Sequence, residues 1–235
     1  MSGLTVVLVH GAFAESASWS GVISRLQQAG HTAVAAANPL RSLSGDAAFV
    51  SSVVGSIAGP VVLVGHSYGG AVISNAAAGH DNVRALVFVA AFAPLEGESI
   101  LELSGRLPGS TLGDTLAPVS LGDGTVDLYI RQDRFHGQFA ADVPAADAAV
   151  LAATQRPLRD VALNEGSGQP AWPSLPSWFV FGDADRNIPV EMHRAMAERA
   201  GSKGTIELAG ASHALTVSRP GEVADVIGTA IAAVG

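Results

Sequence analysis

Residues 65–69 read Gly-His-Ser-Tyr-Gly and follow the apolar run Val61 to Val64. A serine between two glycines at the end of a strand suits a sharp strand-to-helix turn. Such a turn strains the serine backbone and leaves no room for Cβ atoms on its flanks. It presents Ser67 Oγ above the strand end, at the positive end of the next helix, where developing negative charge is favoured. The placement marks Ser67 as a nucleophile rather than a helix-capping residue.

A serine hydroxyl is weakly nucleophilic near neutrality, so a base must take its proton and a third group should fix the tautomer of that base. Of the seven histidines, His213 lies between a strand predicted to end near Leu208 and the last predicted helix. That is the loop edge at which parallel strands deliver catalytic groups. His10 reads as shaping the loop after the first strand, and His66 as pointing away from the nucleophile. His31, His80 and His193 read as surface or turn residues, and His136, in the inserted stretch, as a solvated residue with substrate contact as the alternative. The orienting acid has two candidates in Gly182-Asp183-Ala184-Asp185, both following the predicted strand Trp178 to Phe181. Periodicity leaves both open.

The elements that must position these groups alternate as strand and helix, the pattern of a parallel sheet covered on both faces. Predicted strands are Leu4 to Val9, Thr32 to Ala37, Val61 to Val64, Ala85 to Ala90, Trp178 to Phe181 and Thr205 to Leu208. Helical spacing marks the segment around Trp19 to Leu26, then about Asp46 to Ile57, Ala71 to Ala78, the stretch around Met192 to Met196, and Val223 to Ile231. Between Pro94 and Pro176 strong strand runs are missing. This stretch, about 95–175, reads as a cap inserted after the strand ending near Ala90, with one helix over Ala145 to Gln155. The expectation is one domain over 1–235.

Composition narrows the function. The chain has 235 residues, 48% apolar and 14% charged, with 27 glycines, which suits a compact core with many tight turns. Its net charge of −8 disfavours a nucleic-acid partner. The absence of cysteine removes disulfides, thiolate nucleophiles and cysteine metal sites. No stretch resembles a signal peptide or a membrane span, so a cytoplasmic protein without membrane association is expected. Oligomeric state stays open.

Val7-Leu8-Val9-His10-Gly11-Ala12, the Gly-His-Ser-Tyr-Gly-Gly elbow and Gly210-Ala211-Ser212-His213 together resemble the α/β-hydrolase superfamily. The resemblance is to its small branch of methyl-salicylate esterases, hydroxynitrile lyases and bacterial esterases. It implies an α/β-hydrolase fold with about six mainly parallel strands, lacking the leading antiparallel strands of larger members. The chain order Ser, Asp, His matches. Asp185 is favoured as the acid because Ile188-Pro189 follows it at the family's interval, leaving Asp183 as a structural loop carboxylate. The resemblance also implies an oxyanion hole from the backbone N–H groups of Ala12 and Tyr68.

The expected reaction is ester hydrolysis by acyl transfer on a small hydrophobic substrate, with Ser67, His213 and Asp185 catalytic and no metal or organic cofactor. Pocket candidates are Phe13, Trp19, Tyr68, Phe92, Tyr129, Phe135, His136, Trp172 and Leu215. The alternatives are lactone or amide cleavage or perhydrolysis by the same residues, and a small-ligand receptor without turnover. Lyase chemistry is disfavoured. Lyases of the branch place lysine after the histidine, threonine after the first strand and glutamate before the nucleophile, where this chain has Ala214, Gly11 and His66.

Overall fold

The computed structural model describes residues 3–235. The chain begins with β1 (Thr5–Val9), α1 (Ser20–Gln28), β2 (Thr32–Ala36), α2 (Leu43–Gly55), β3 (Val61–His66), α3 (Tyr68–Ala76) and β4 (Val83–Val89). An inserted segment follows, with α4 (Ile100–Arg106), β5 (Leu116–Ser120), β6 (Val126–Ile130), α5 (Gln132–Phe139), α6 (Ala145–Thr154), β7 (Leu158–Arg159) and α7 (Asp160–Asn164). The alternation resumes with β8 (Ser177–Gly182), α8 (Val190–Arg199), β9 (Gly204–Leu208), α9 (Leu215–Ser218) and α10 (Pro220–Val234).

Six strands form one sheet in the order β2-β1-β3-β4-β8-β9, and every pairing in it is parallel. The strands are apolar because both faces are covered. Along β1 the side chains alternate: Val6 and Leu8 join the core under α1 and α10, while Val7 and Val9 join the core shared with α2, α3, α8 and the insertion. Phe88 of β4 stacks on Phe179 of β8 with ring centroids 4.5 Å apart on the second face. The helix predicted from about Asp46 starts earlier, at Leu43, since the Ser42 side chain accepts from Gly45 N and caps it. No helix among the described residues is long and apolar enough to cross a membrane.

The insertion corrects one expectation. It contains a three-stranded antiparallel sheet, β5-β6-β7, where the sequence shows no strong strand run. Its strands are short, one carries Pro118, and β5 is largely exposed, so neither apolar continuity nor clean alternation signals them. The predicted helix is present as α6. Arg41, on the loop after β2, ties the insertion down: Nη1 is 2.7 Å from Asp127 Oδ1 and Nη2 donates to Pro157 O. Ile130, Phe135, Phe139 and Ala148 of the insertion belong to the same core as Val7 and Phe88 of the sheet.

Candidate active site

β3 runs directly into α3, and the junction residue Ser67 has φ 54° and ψ −123°. That left-handed backbone is strained for a residue with a side chain, and the surroundings hold it there. Ser67 N donates to Val89 O, and Ser67 O accepts from Gly70 N and Phe92 N. A Cβ at Gly65 would sit 2.5 Å from Gly69 O, and one at Gly69 would collide with Val9 O. The two glycines of the motif are therefore demanded by backbone closeness.

His213 lies on the loop between β9 and α9 and is fully buried. Its Nδ1 donates to Asp185 Oδ2 at 2.7 Å, which leaves Nε2 as the bare, basic nitrogen. That nitrogen is buried without a hydrogen-bond partner among the described residues, and Ser67 Oγ makes no hydrogen bond among them either. His66, next to Ser67, holds the loop: its Nε2 donates to His213 O at 3.0 Å, and the two rings lie 4.8 Å apart. Burial, then the nearby His213, lower the pKa of His66 to about 3, so it is a neutral donor and not a second base. From the insertion, Phe139 sets its ring edge-on to His213 with centroids 5.0 Å apart, and Asp142 accepts a hydrogen bond from Ser212 Oγ.

Asp185 and Asp183 are separated by the fold. Asp183 is exposed, and its Oδ1 accepts from Gly210 N at 2.6 Å. The Asp185 carboxylate is wholly buried; Oδ1 accepts from the backbone N–H of Asn187 and Ile188, and Oδ2 from His213 and from His193. Burial alone would raise its pKa. The field of His213 and the hydrogen bonds from His193 and His213 outweigh that and hold it well below the usual carboxylate range.

His193 corrects the reading of it as a surface residue. It is fully buried on α8, its ring stacks on Phe181 with centroids 4.8 Å apart, and burial lowers its pKa. A signal was present: Met196 and Ala197 follow it at helical spacing on the same buried face.

A narrow cleft opens at Ser67, lined by Phe13, Phe92, Ile100, Leu128, Ile188 and other apolar groups, with no charged side chain. Ala12 and Tyr68 also line it, and neither backbone N–H donates to an acceptor among the described residues. The loop carrying Ala12 is fastened on both sides. Asn38 Nδ2 donates to His10 O and Phe13 N donates to Arg156 O, each at 2.9 Å. The Tyr68 side chain turns away, donating its hydroxyl to the buried Asp46 Oδ2 at 2.8 Å.

Of the other predicted pocket residues, Phe13 and Phe92 are in the cleft and six are not. Trp19 and Leu215 are fully buried on the opposite face of the sheet, in the core with α10. Tyr129 points off the cleft because Leu128, its neighbour on β6, takes the inward position. Phe135 packs behind, stacked on Phe139. His136 is exposed and donates Nε2 to Val143 O at 2.9 Å. Trp172 is buried, with Nε1 donating to Pro94 O and Arg199 over its ring. Aromatic residue type alone does not separate core from cavity. The cleft instead takes much of its wall from aliphatic residues of the insertion, among them Ile100, Leu112, Leu116 and Leu158.

The chain belongs to the alpha/beta hydrolase family, whose model matches residues 6–226. It is similar to Esterase PIR7B of Oryza sativa subsp. japonica, 28% identical over 94% of this chain and 93% of that protein. It is also similar to a Pyrethroid hydrolase of Sphingobium wenxiniae, 26% identical over 97% of this chain and 87% of the relative. Among solved structures, polyneuridine aldehyde esterase shares the fold with a TM-score of 0.82 at 20% identity, covering 97% of this chain and 99% of that one. Tomato methylketone synthase I matches with a TM-score of 0.82 at 19% identity over 100% of both chains.

Proposed function

We propose that this protein is a serine esterase that cleaves carboxylic esters of small, uncharged, hydrophobic substrates through an acyl-enzyme. The observation that carries the reading is the buried Asp185–His213 hydrogen bond, with His213 held by His66, the chain neighbour of the strained Ser67, which itself lines a cleft without charged side chains. The relatives named esterase and hydrolase support the same reaction class.

In this mechanism Ser67 Oγ attacks the ester carbonyl carbon while His213 Nε2 takes its proton, and a Ser67–His213 hydrogen bond forms as substrate enters. Asp185 keeps the Nδ1–H tautomer and stabilises the imidazolium. The free N–H groups of Ala12 and Tyr68, together with the N-terminus of α3, receive the oxyanion; one such donor is worth about 3 kcal/mol. Collapse breaks the bond to the leaving alkoxide, which takes the proton from His213. Water then adds to the acyl-enzyme with His213 again as base, releasing the acid and regenerating Ser67.

The experiment is a panel of p-nitrophenyl, aryl and lactone esters, with a fluorophosphonate probe of the nucleophile. Ester turnover and labelling that both vanish in a folded Ser67→Ala variant are expected. Equal labelling of the variant overturns Ser67 as nucleophile, and tight binding without turnover supports a receptor instead.

A further inference from the structure

Asn187 lines the apolar cleft together with Ser67, yet it is only 4% exposed. Its orientation is fixed by a chain of hydrogen bonds that starts in the insertion. Thr111 Oγ1 donates to Gln138 Oε1 at 2.8 Å, and Gln138 Nε2 donates to Arg186 O at 2.9 Å. A backbone carbonyl can only accept, so the amide nitrogen of Gln138 must face this way. The Asn187 atom 2.8 Å from that same nitrogen is then its acceptor, Oδ1. Nδ2 is left on the other side of the amide, with no acceptor among the described residues and not sealed in the interior.

The other polar side chains of the cleft are already committed. Ser104 donates its hydroxyl to Ile100 O at 2.7 Å and Tyr68 donates its hydroxyl to Asp46. Apart from Ser67 and the two backbone N–H groups, Asn187 Nδ2 is thus the uncommitted donor of the cleft among the described residues. A neutral amide donor held in an apolar wall discriminates strongly, because an all-carbon ligand leaves it unpaired.

We infer that Asn187 is a specificity-determining residue, its Nδ2 donating to a neutral oxygen acceptor, an ether, carbonyl or hydroxyl oxygen, carried by the substrate besides the scissile ester. The inference rests on the esterase reading for the site, while the donor itself is a property of the cleft. The preferred esters are apolar and uncharged but carry one more oxygen.

The test uses isosteric pairs of p-nitrophenyl esters in which one CH2 of the acyl chain is replaced by an ether oxygen at successive positions, beginning with butanoate and methoxyacetate. Each pair gives a ratio of kcat/KM, and comparing wild type with Asn187→Leu cancels intrinsic reactivity. At one position at least, the ratio should favour the ether ester about five- to tenfold more in wild type than in Asn187→Leu. Asn187→Ala, which keeps the backbone N–H to Asp185, makes the same comparison if the leucine variant does not fold. Kd values for the same pairs on Ser67→Ala, with and without the Asn187 substitution, read the donor without turnover. A shift in Kd ratio without ester turnover by wild type would uphold the donor and sink the esterase reading. Ser67-dependent turnover with equal ratios in both backgrounds at every position overturns the donor and leaves the esterase.

Discussion

His193 Nε2 stands 3.1 Å from Asp185 Oδ2, donating to the oxygen atom that also receives His213 Nδ1. The carboxylate is therefore held from α8 as well as from its own loop, and the oxygen facing His213 cannot swing away without breaking a second buried bond. A hydrogen bond to a charged acceptor contributes about 1.5–3 kcal/mol.

If the proposed esterase reading holds, His193 acts on the reaction through Asp185. His193→Phe should lower kcat about tenfold or more with little change in KM, because it does not touch the substrate. His193→Gln, whose amide can donate to the same oxygen, should recover most of the loss. Steady-state kinetics of both variants check this, and a loss shared equally by glutamine and phenylalanine would point to packing on Phe181 instead.

Asp185→Asn is expected to reduce kcat on the order of 10⁴-fold, since an amide can offer its NH2 to His213 and favour the wrong tautomer. Asp183→Asn should cost tenfold or less, because its carboxylate only receives the Gly210 N–H at the surface. Circular dichroism on both establishes folding before the rates are compared, and the opposite ranking would reassign the acid.

Stability should fall with acid earlier than the carboxylates alone would cause. His10 and His66 are buried and neutral, burial first lowering their pKa values from 6.5 to about 4 and about 3. The unfolded chain takes up these protons below 6.5 while the folded chain does not, so the stabilisation is complete above pH 6.5. It declines by roughly 1.4 kcal/mol per pH unit per histidine down to the folded values. Asp185, depressed in the folded state, adds its loss only below the ordinary carboxylate pKa of 3.8. Denaturant titrations from pH 7 to 4 measure the slope, and replacing His10 by Gln should flatten it in that window.

Cyanohydrins should not be cleaved. Ala214, which follows His213, is buried and brings no cation to a leaving cyanide, and no charged side chain lines the cleft. Mandelonitrile incubated beside p-nitrophenyl acetate distinguishes the activities: ester hydrolysis without cyanide release is expected, and efficient cyanide release alone would refute the esterase assignment.

The parallel sheet and the elbow are legible in the residues alone, because both rest on local rules. Apolar runs such as Val61 to Val64 must be buried on both faces, and Gly65 and Gly69 allow a turn that no residue with a Cβ fits. The strand-to-loop order also carried His213 and the pair Asp183 and Asp185 to one edge. Choosing between the two aspartates needed the fold, since they are two residues apart on one loop and only burial distinguishes their oxygens. The cleft likewise emerges only from how distant segments pack. Trp19 and Leu215 look like pocket residues in one dimension but pack on the far face of the sheet, while Ile100 and Leu128 line the cleft at Ser67 because the insertion folds over it. The hydrogen bonds of His193 and Asn187 join segments distant along the chain or placed by a helix, and a donor's partner has no signature in the residue type alone.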